Sequence, residues 1–167
     1  MVVKASHNHM AFKTIPIISL LKGKKKNKFN VGDPVGRTNT DGTVFDSKWE
    51  MKVFNLLTTY VPKEHIHTQK GFVLLDKFKG PDGKAVREIK YVTDFVLGPD
   101  FEDGHITPLH VVIDCKGMIT DVFKIKEKMF MQKYGIMINK PKTGNVGAII
   151  ELVDQYRKNW SHAAAVL

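Results

Sequence analysis

The segment around Val111-Val112-Ile113 does most to limit what this chain can fold into. A nearly continuous apolar run of this length suits a strand that is buried on both faces, inside a sheet covered from two sides. Helices are a common cover for such a sheet. The chain has 167 residues, enough for one domain of ordinary size with a sizeable core. We therefore expect one domain in which helices pack on both faces of a small sheet.

Hydrophobic spacing predicts a first helix that begins near Asp46, its expected N-cap, and ends before Pro62. Its apolar residues recur at i, i+4, i+7, i+8 and i+11 and form one stripe. The members of the stripe are Trp49, Val53, Leu56, Leu57 and Tyr60. Helical spacing returns in 120–134 and 148–160, which predicts two further helices.

Apolar segments of strand length predict four strands. They span 66–75, 86–97, 109–116 and 136–138. The sequence Gly80-Pro81-Asp82-Gly83 is a strong turn signal between the first two. The resulting order, α-β-β-β-α-β-α, predicts an α/β (α+β) fold with a small mixed sheet flanked by helices.

Positive charge is concentrated at the start of the chain. The formal net charge is +9, and residues 1–40 carry +7 of it. We therefore divide the chain into a basic arm, 1–40, and a nearly neutral domain, 41–167. Five lysines of the arm lie within seven residues: Lys22, Lys24, Lys25, Lys26 and Lys28. A cationic segment on a neutral body favours a polyanionic partner such as a phosphate backbone, although a solvated, solubilising run has the same composition.

Several classes of protein are excluded or disfavoured by composition. No window approaches the roughly 18 apolar residues that a membrane span needs, and the N-terminus lacks the pattern of a secretory signal. The single cysteine can form neither an internal disulfide nor a thiolate zinc cluster. We therefore expect a protein of the reducing cytoplasm.

Asp114-Cys115-Lys116 combines an acid and a lysine at the end of the most hydrophobic predicted strand. The acid-x-lysine pattern occurs five times in the chain, but only this copy ends such a strand and precedes a glycine. Residues two apart in a strand point the same way, so Asp114 and Lys116 should project together and Cys115 away from them. Because two buried charges are expensive to desolvate, this pair favours a functional site.

Two further carboxylates are expected near this pair. Asp94 lies in the otherwise largely apolar segment 91–97, and pairing of the second and third strands would place it beside Asp114. Neighbouring carboxylates repel unless a cation bridges them, and oxygen ligands favour Mg²⁺ or Mn²⁺. Glu50, beside the apolar stripe of the first helix, could reach the same pocket, although such residues are commonly exposed. Gln69 could also line it, although a strand glutamine is more often polar surface.

A helix glutamate followed by "YVTDF" and "VIDCKG" resembles the PD-(D/E)XK nuclease superfamily over roughly residues 45–140. The pattern is most similar to small phage-encoded, junction-resolving endonucleases of the endonuclease I and Holliday junction resolvase type. Thr93 stands where the superfamily's name has proline. The resemblance implies a restriction-endonuclease-like α-β-β-β-α-β core. It further implies that Asp94 and Asp114 bind metal, that Glu50 and the Cys115 backbone carbonyl extend the metal site, and that Lys116 is the catalytic lysine.

The same resemblance implies a Mg²⁺-dependent endodeoxyribonuclease, with Mn²⁺ as a substitute, that acts on branched DNA as a homodimer. The basic arm would bind DNA and contribute dimer contacts through Ile15 to Leu21, and Lys124 and Lys126 of the second predicted helix would contact phosphates. Two alternatives remain at this stage. One is a nuclease of the same fold that acts on plain duplex or DNA ends. The other is a basic nucleic-acid-binding protein without catalysis, against which the complete set of Glu50, Asp94, Asp114 and Lys116 argues.

Overall fold

A computed structural model describes residues 34–99, 101–102 and 105–164. The described helices are α1 (Lys48–Tyr60), α2 (Asp121–Tyr134) and α3 (Val146–Ala164). The described strands are β1 (Ile66–Leu75), β2 (Phe78–Lys79), β3 (Ala85–Val86), β4 (Ile89–Leu97), β5 (Val111–Ile113) and β6 (Ile138–Asn139). In this part of the chain, no helix has the length and apolar character needed to cross a bilayer.

Four strands form one mixed sheet in the order β1-β4-β5-β6. The pairs β1/β4 and β4/β5 are antiparallel, and β5/β6 is parallel. β2 and β3 form a separate hairpin around the predicted turn at 80–83. The fold is therefore the expected mixed α/β arrangement, with a small sheet and flanking helices.

Two clusters of buried side chains cover the two faces of the sheet. One joins α1 and α3 to alternate residues of β4 and β5, among them Phe95 and Ile113. The other joins α2 to the intervening residues, among them Val96 and Val112. Because neighbouring residues of β5 are fully buried in opposite clusters, this strand lies inside the sheet, as its continuous apolar sequence predicts.

Three predicted strands differ from the observed ones, and the last of them, 136–138, is observed as β6 at Ile138–Asn139. The predicted segment 109–116 is longer than β5 at both ends. A turn closed by the His110 amide and the Thr107 carbonyl, 3.0 Å apart, precedes the strand, and the strand ends at Ile113. The segment 86–97 includes the last residue of β3 and all of β4, because the chain leaves the hairpin before it joins the main sheet. The bounds of β1 and the position of α2 agree with the sequence-based expectation.

The N-cap of α1 is Ser47, so the prediction of Asp46 is wrong by one residue. Ser47 has an extended backbone, and its Oγ accepts a hydrogen bond from the Glu50 amide at 3.0 Å. The Glu50 carboxylate in turn accepts one from the Asp46 amide at 3.0 Å. This reciprocal arrangement resembles a capping box and fixes Glu50 in the first turn of α1.

The described body begins before the predicted domain boundary at residue 41. Residues 33–167 form one compact unit, and its described part starts with a 3-10 turn, Pro34–Arg37. Thr38 forms an isolated bridge with Val44, and the Arg37 guanidinium donates to the Phe45 carbonyl. The five lysines of 22–28 and the apolar segment 15–21 lie outside the described residues.

Candidate active site

Asp114 lies directly after β5, and its side chain is completely buried. Oδ2 accepts a hydrogen bond from the Tyr91 hydroxyl. Oδ1 accepts no hydrogen bond within the described residues and has an ion-pair contact with Lys116 Nζ at 3.1 Å. The buried Asp114 Oδ1 is therefore compensated by the positive charge of Lys116 and by no hydrogen bond from the described residues.

Asp94 lies beside Asp114, as the sequence predicts. The pair Phe95↔Ile113 sets the register of β4 and β5 and brings the two aspartates to the same end of the pair. Asp94 Oδ2 accepts a hydrogen bond from the Cys115 amide at 2.5 Å. Burial, followed by the charge of Asp114, raises the pKa of Asp94 to about 7. The two carboxylates thus share a poorly hydrated space in which both are difficult to ionise together.

Glu50 reaches the same space from α1. It is buried, with 2% of its surface exposed, so it is not an ordinary surface glutamate. Its Oε1 accepts a hydrogen bond from Gln69 Nε2 at 2.8 Å, and its Oε2 is the acceptor for the Asp46 amide. Burial is the main cause that raises the pKa of Glu50, and the charge of Glu50 in turn helps to raise that of Asp94.

Lys116 and Cys115 leave β5 in different directions. The Lys116 side chain is about one-third exposed (33%), and its ammonium lies 5.3 Å from the centre of the Phe123 ring. The Cys115 side chain packs in the cluster of α1 and α3, where burial raises the pKa of its thiol. The structure therefore separates the two side chains as the strand pattern predicts. The metal-binding role of the Cys115 carbonyl stays a prediction.

Gln69 is the site residue that the sequence indicated least clearly. It is the one non-glycine residue in the described ranges with a positive φ, +51°. The pairs Thr68↔Phe95 and Lys70↔Thr93 flank it and place it across from Asp94. A left-handed glutamine in a strand is strained by about 1–3 kcal/mol, and such strain is commonly found at functional sites. In the sequence, the one indication that Gln69 belongs to the site is that it is a polar residue in the first half of β1, before the apolar residues of the second half.

The backbone of β4 is also irregular at this position. Tyr91 packs in the cluster of α2, whereas Phe95 packs in the cluster of α1 and α3. Residues four apart in a regular strand share one face, so the alternation shifts between them. Between these residues, the Thr93 hydroxyl donates to the Ile113 carbonyl at 2.8 Å. Asp94 and Gln69 therefore lie where both strands depart from regular geometry.

The two α2 lysines predicted to contact DNA both have partners within the protein. Lys124 forms an exposed ion pair with Asp121 at 2.9 Å. Lys126 donates a hydrogen bond to the Lys90 carbonyl at 2.6 Å. Their contact with DNA stays a prediction, as does that of the lysines in the arm.

The side chains present suit a hard divalent cation in part. In the described ranges, no group of three or more His, Cys, Asp or Glu side chains is already arranged as a metal site. Asp94 and Asp114 nevertheless supply adjacent carboxylate oxygens, and one of these, Asp114 Oδ1, is buried without a hydrogen bond. Oxygen donors of this kind match Mg²⁺ or Mn²⁺, which would relieve the repulsion between them.

Comparison with known proteins identifies a family but no characterised relative. No curated protein and no solved structure matches the chain. One family model matches residues 35–141, which is more than half of the chain and includes Glu50, Asp94, Asp114 and Lys116. The chain therefore belongs to the family described as "Protein of unknown function (DUF1064)".

Proposed function

We propose that this protein is a Mg²⁺-dependent endodeoxyribonuclease that hydrolyses phosphodiester bonds in branched DNA. The observation that carries the proposal is the buried Asp114, in contact with Lys116 and adjacent to Asp94, at the carboxyl end of an interior strand. A purely structural pair would not need a second carboxylate whose pKa is raised beside it. Perturbed carboxylates with a lysine in one cleft are typical of a catalytic site.

Asp94 and Asp114 are the residues that would hold Mg²⁺, and Glu50, whose charge helps to raise the pKa of Asp94, would extend the site. Bound Mg²⁺ supplies Lewis acidity and neutralises charge on the phosphate. Gln69 and the Asp46 amide hold both oxygens of Glu50, so the orientation of this carboxylate is fixed before a substrate arrives. Preorganised charges of this kind lose little energy to rearrangement during the reaction.

Lys116 is the residue that would act on the substrate. In hydrolysis, a water oxygen bonds to phosphorus, the bond from phosphorus to one ester oxygen breaks, and a phosphate monoester and a hydroxyl group remain. The Lys116 ammonium is exposed enough to meet a phosphate and is oriented by Asp114 and the Phe123 ring. It would position the attacking water and stabilise the negative charge that develops on the phosphate oxygens.

Branched DNA and a homodimer are the finer parts of the proposal. They rest on the resemblance to junction-resolving endonucleases, because symmetric cutting of a junction requires two active sites. The net charge of +9 supports a polyanionic substrate. The arm would supply phosphate contacts and dimer contacts, and Lys124 and Lys126 would add phosphate contacts from α2.

The decisive experiment compares cleavage of a four-way DNA junction with that of a matched linear duplex, in Mg²⁺ and in Mn²⁺. The variant Lys116→Ala should abolish cleavage. Lys84→Ala is the matched control, because Asp82-Gly83-Lys84 has the same acid-x-lysine pattern and its ion pair is exposed and outside the site. This control should cut at the wild-type rate.

Each outcome selects one function. Cleavage of the junction alone, lost in Lys116→Ala, supports the proposal in full. Equal cleavage of both substrates supports a nuclease that acts on plain duplex and removes the selectivity for branches. Absence of cleavage with either metal, together with salt-sensitive DNA binding, contradicts the nuclease and favours a non-catalytic binding protein. Sedimentation of the wild-type protein tests the dimer.

A further inference from the structure

Lys140 lies beside the candidate active site, although no pattern in the sequence indicates it. It follows β6 directly, as Asp114 follows β5, and the two strands are parallel neighbours in the register Ile113↔Asn139. The Asp114 amide donates a hydrogen bond to the Asn139 carbonyl at 2.9 Å. Ligands of sheets with parallel strands commonly bind where the carboxyl ends of the strands meet. Lys140 and Asp114 share this edge.

Two lysines contact the same aromatic ring at this edge. The ammonium of Lys140 lies 5.6 Å from the centre of the Phe123 ring, and that of Lys116 lies 5.3 Å from it. Each is within the range of a favourable cation–π contact. The ring is buried and therefore fixes the region in which both charges lie.

Each lysine also has one carboxylate partner. Lys116 is paired with Asp114, and Lys140 is paired with Glu127 of α2. An ammonium group has three N–H donors, so one carboxylate contact leaves donors for another acceptor. The Lys140 side chain is 29% exposed, which is enough for a ligand to reach it and low enough to limit screening by water.

We propose that Lys140 and Lys116 together form a phosphate site on the Phe123 ring, in which Lys140 binds the DNA phosphate next to the one that is cut. The inference rests on the proposed nuclease function and adds a DNA contact to its site. Two fixed ammonium groups at one edge suit a ligand with closely spaced negative charges, and the phosphodiester backbone is such a ligand. The competing explanation is that Lys140 serves only to tie β6 to α2 through Glu127.

The test measures DNA binding in EDTA, so that no cleavage occurs, over a range of salt concentrations. Lys140→Gln should weaken binding roughly five- to tenfold near 0.1 M salt and lower the slope of log K against log salt by about 1. Lys140→Arg, which keeps the charge, should retain the wild-type slope. Lys133→Gln is the matched control. It also removes one lysine that is paired with a carboxylate, since Lys133 of α2 forms an ion pair with Asp76 at 3.4 Å. It should bind within about twofold of wild type.

Glu127→Gln separates the phosphate contact from the structural explanation. It removes the ion pair but leaves Lys140 in place, so DNA should bind at least as tightly as to wild type. Equal weakening in Glu127→Gln and Lys140→Gln, or the same affinity in Lys140→Gln and Lys133→Gln, would overturn the phosphate site. Loss of affinity in Lys140→Gln alone supports the phosphate contact of Lys140. If the wild-type protein then cuts no DNA in Mg²⁺, the nuclease proposal fails and the phosphate contact remains.

Discussion

At the scale of single residues, the candidate site consists of acidic groups held where water is scarce. Asp114 is fully buried, Glu50 almost so, and Asp94 is raised in pKa by burial and by its neighbours. The order of the sequence and the expected strand pairing were sufficient to predict that Asp94 and Asp114 meet. The left-handed backbone of Gln69 and the position of Lys140 beside the site could not be predicted, because the first is a local φ angle and the second depends on the register of β6.

The first prediction concerns stability and pH in the absence of metal. Because the folded-state pKa of Asp94 is about 7 and its ordinary value is 3.8, the folded protein binds more protons than the unfolded chain between these values. Stability from this group is therefore present below about pH 4 and is lost as the pH rises through 7. Asp94→Asn lacks this titration, so in EDTA its melting temperature should exceed that of wild type at pH 8 and the advantage should shrink toward pH 5.

Thermal unfolding between pH 5 and pH 8.5 provides the measurement. Asp82→Asn is the control, since Asp82 lies in an exposed turn away from the site. A constant difference between Asp94→Asn and wild type across this range would contradict the prediction.

The second prediction isolates the backbone strain at Gln69. Both Gln69→Ala and Gln69→Gly lose the hydrogen bond to Glu50, but only glycine adopts a φ of +51° without steric cost. Gln69→Gly should therefore be more stable than Gln69→Ala by about 1 kcal/mol. Urea unfolding measures the difference, and equal stability of the two variants would show that the position is not strained.

At the scale of elements, hydrophobic spacing predicted where helices and strands lie better than where they end. The bounds of β1 can be predicted because Pro62 precedes the strand and the turn residues 80–83 follow it in the sequence. The start of β5 depends on a turn closed by two backbone groups, and backbone groups do not distinguish one sequence from another. The same holds for the N-cap of α1, where Asp46 and Ser47 are both good capping residues and only the backbone geometry selects one.

The third prediction tests that selection. Ser47→Ala removes the side-chain acceptor of the Glu50 amide and should lower the free energy of unfolding by about 1 kcal/mol. Asp46→Ala keeps the backbone amide that donates to Glu50 and should cost much less. Chemical denaturation of both variants gives the comparison, and a larger loss in Asp46→Ala would return the N-cap to that residue.

At the scale of the whole molecule, charge and core are divided between different parts of the chain. Residues 1–32 contain seven lysines and no acid, so they account for +7 of the net +9. The compact unit that contains the candidate site starts at Asp33. The arm that we propose to bind DNA is therefore separate in the sequence from the residues that form the candidate site.

The fourth prediction follows from this division. A chain that begins at Asp33 should keep its melting temperature, because its buried clusters lie within the remaining residues. Its affinity for DNA should fall, and the slope of log K against log salt should decrease, because lysines that displace counterions are lost. Binding titrations at several salt concentrations test this, and an unchanged slope would show that the arm contacts no phosphate.

Helix α3 lies outside the family match but packs in the core of the protein. The family match ends at residue 141, before α3 begins at Val146. Yet α3 contributes Ile149, Leu152, Val153 and Tyr156 to the cluster that covers one face of the sheet. A protein with only the matched residues would leave this apolar face in contact with water. The family match and the buried cluster thus end at different places in the chain, and we expect any relative that differs after residue 141 to cover the same face with a segment of its own.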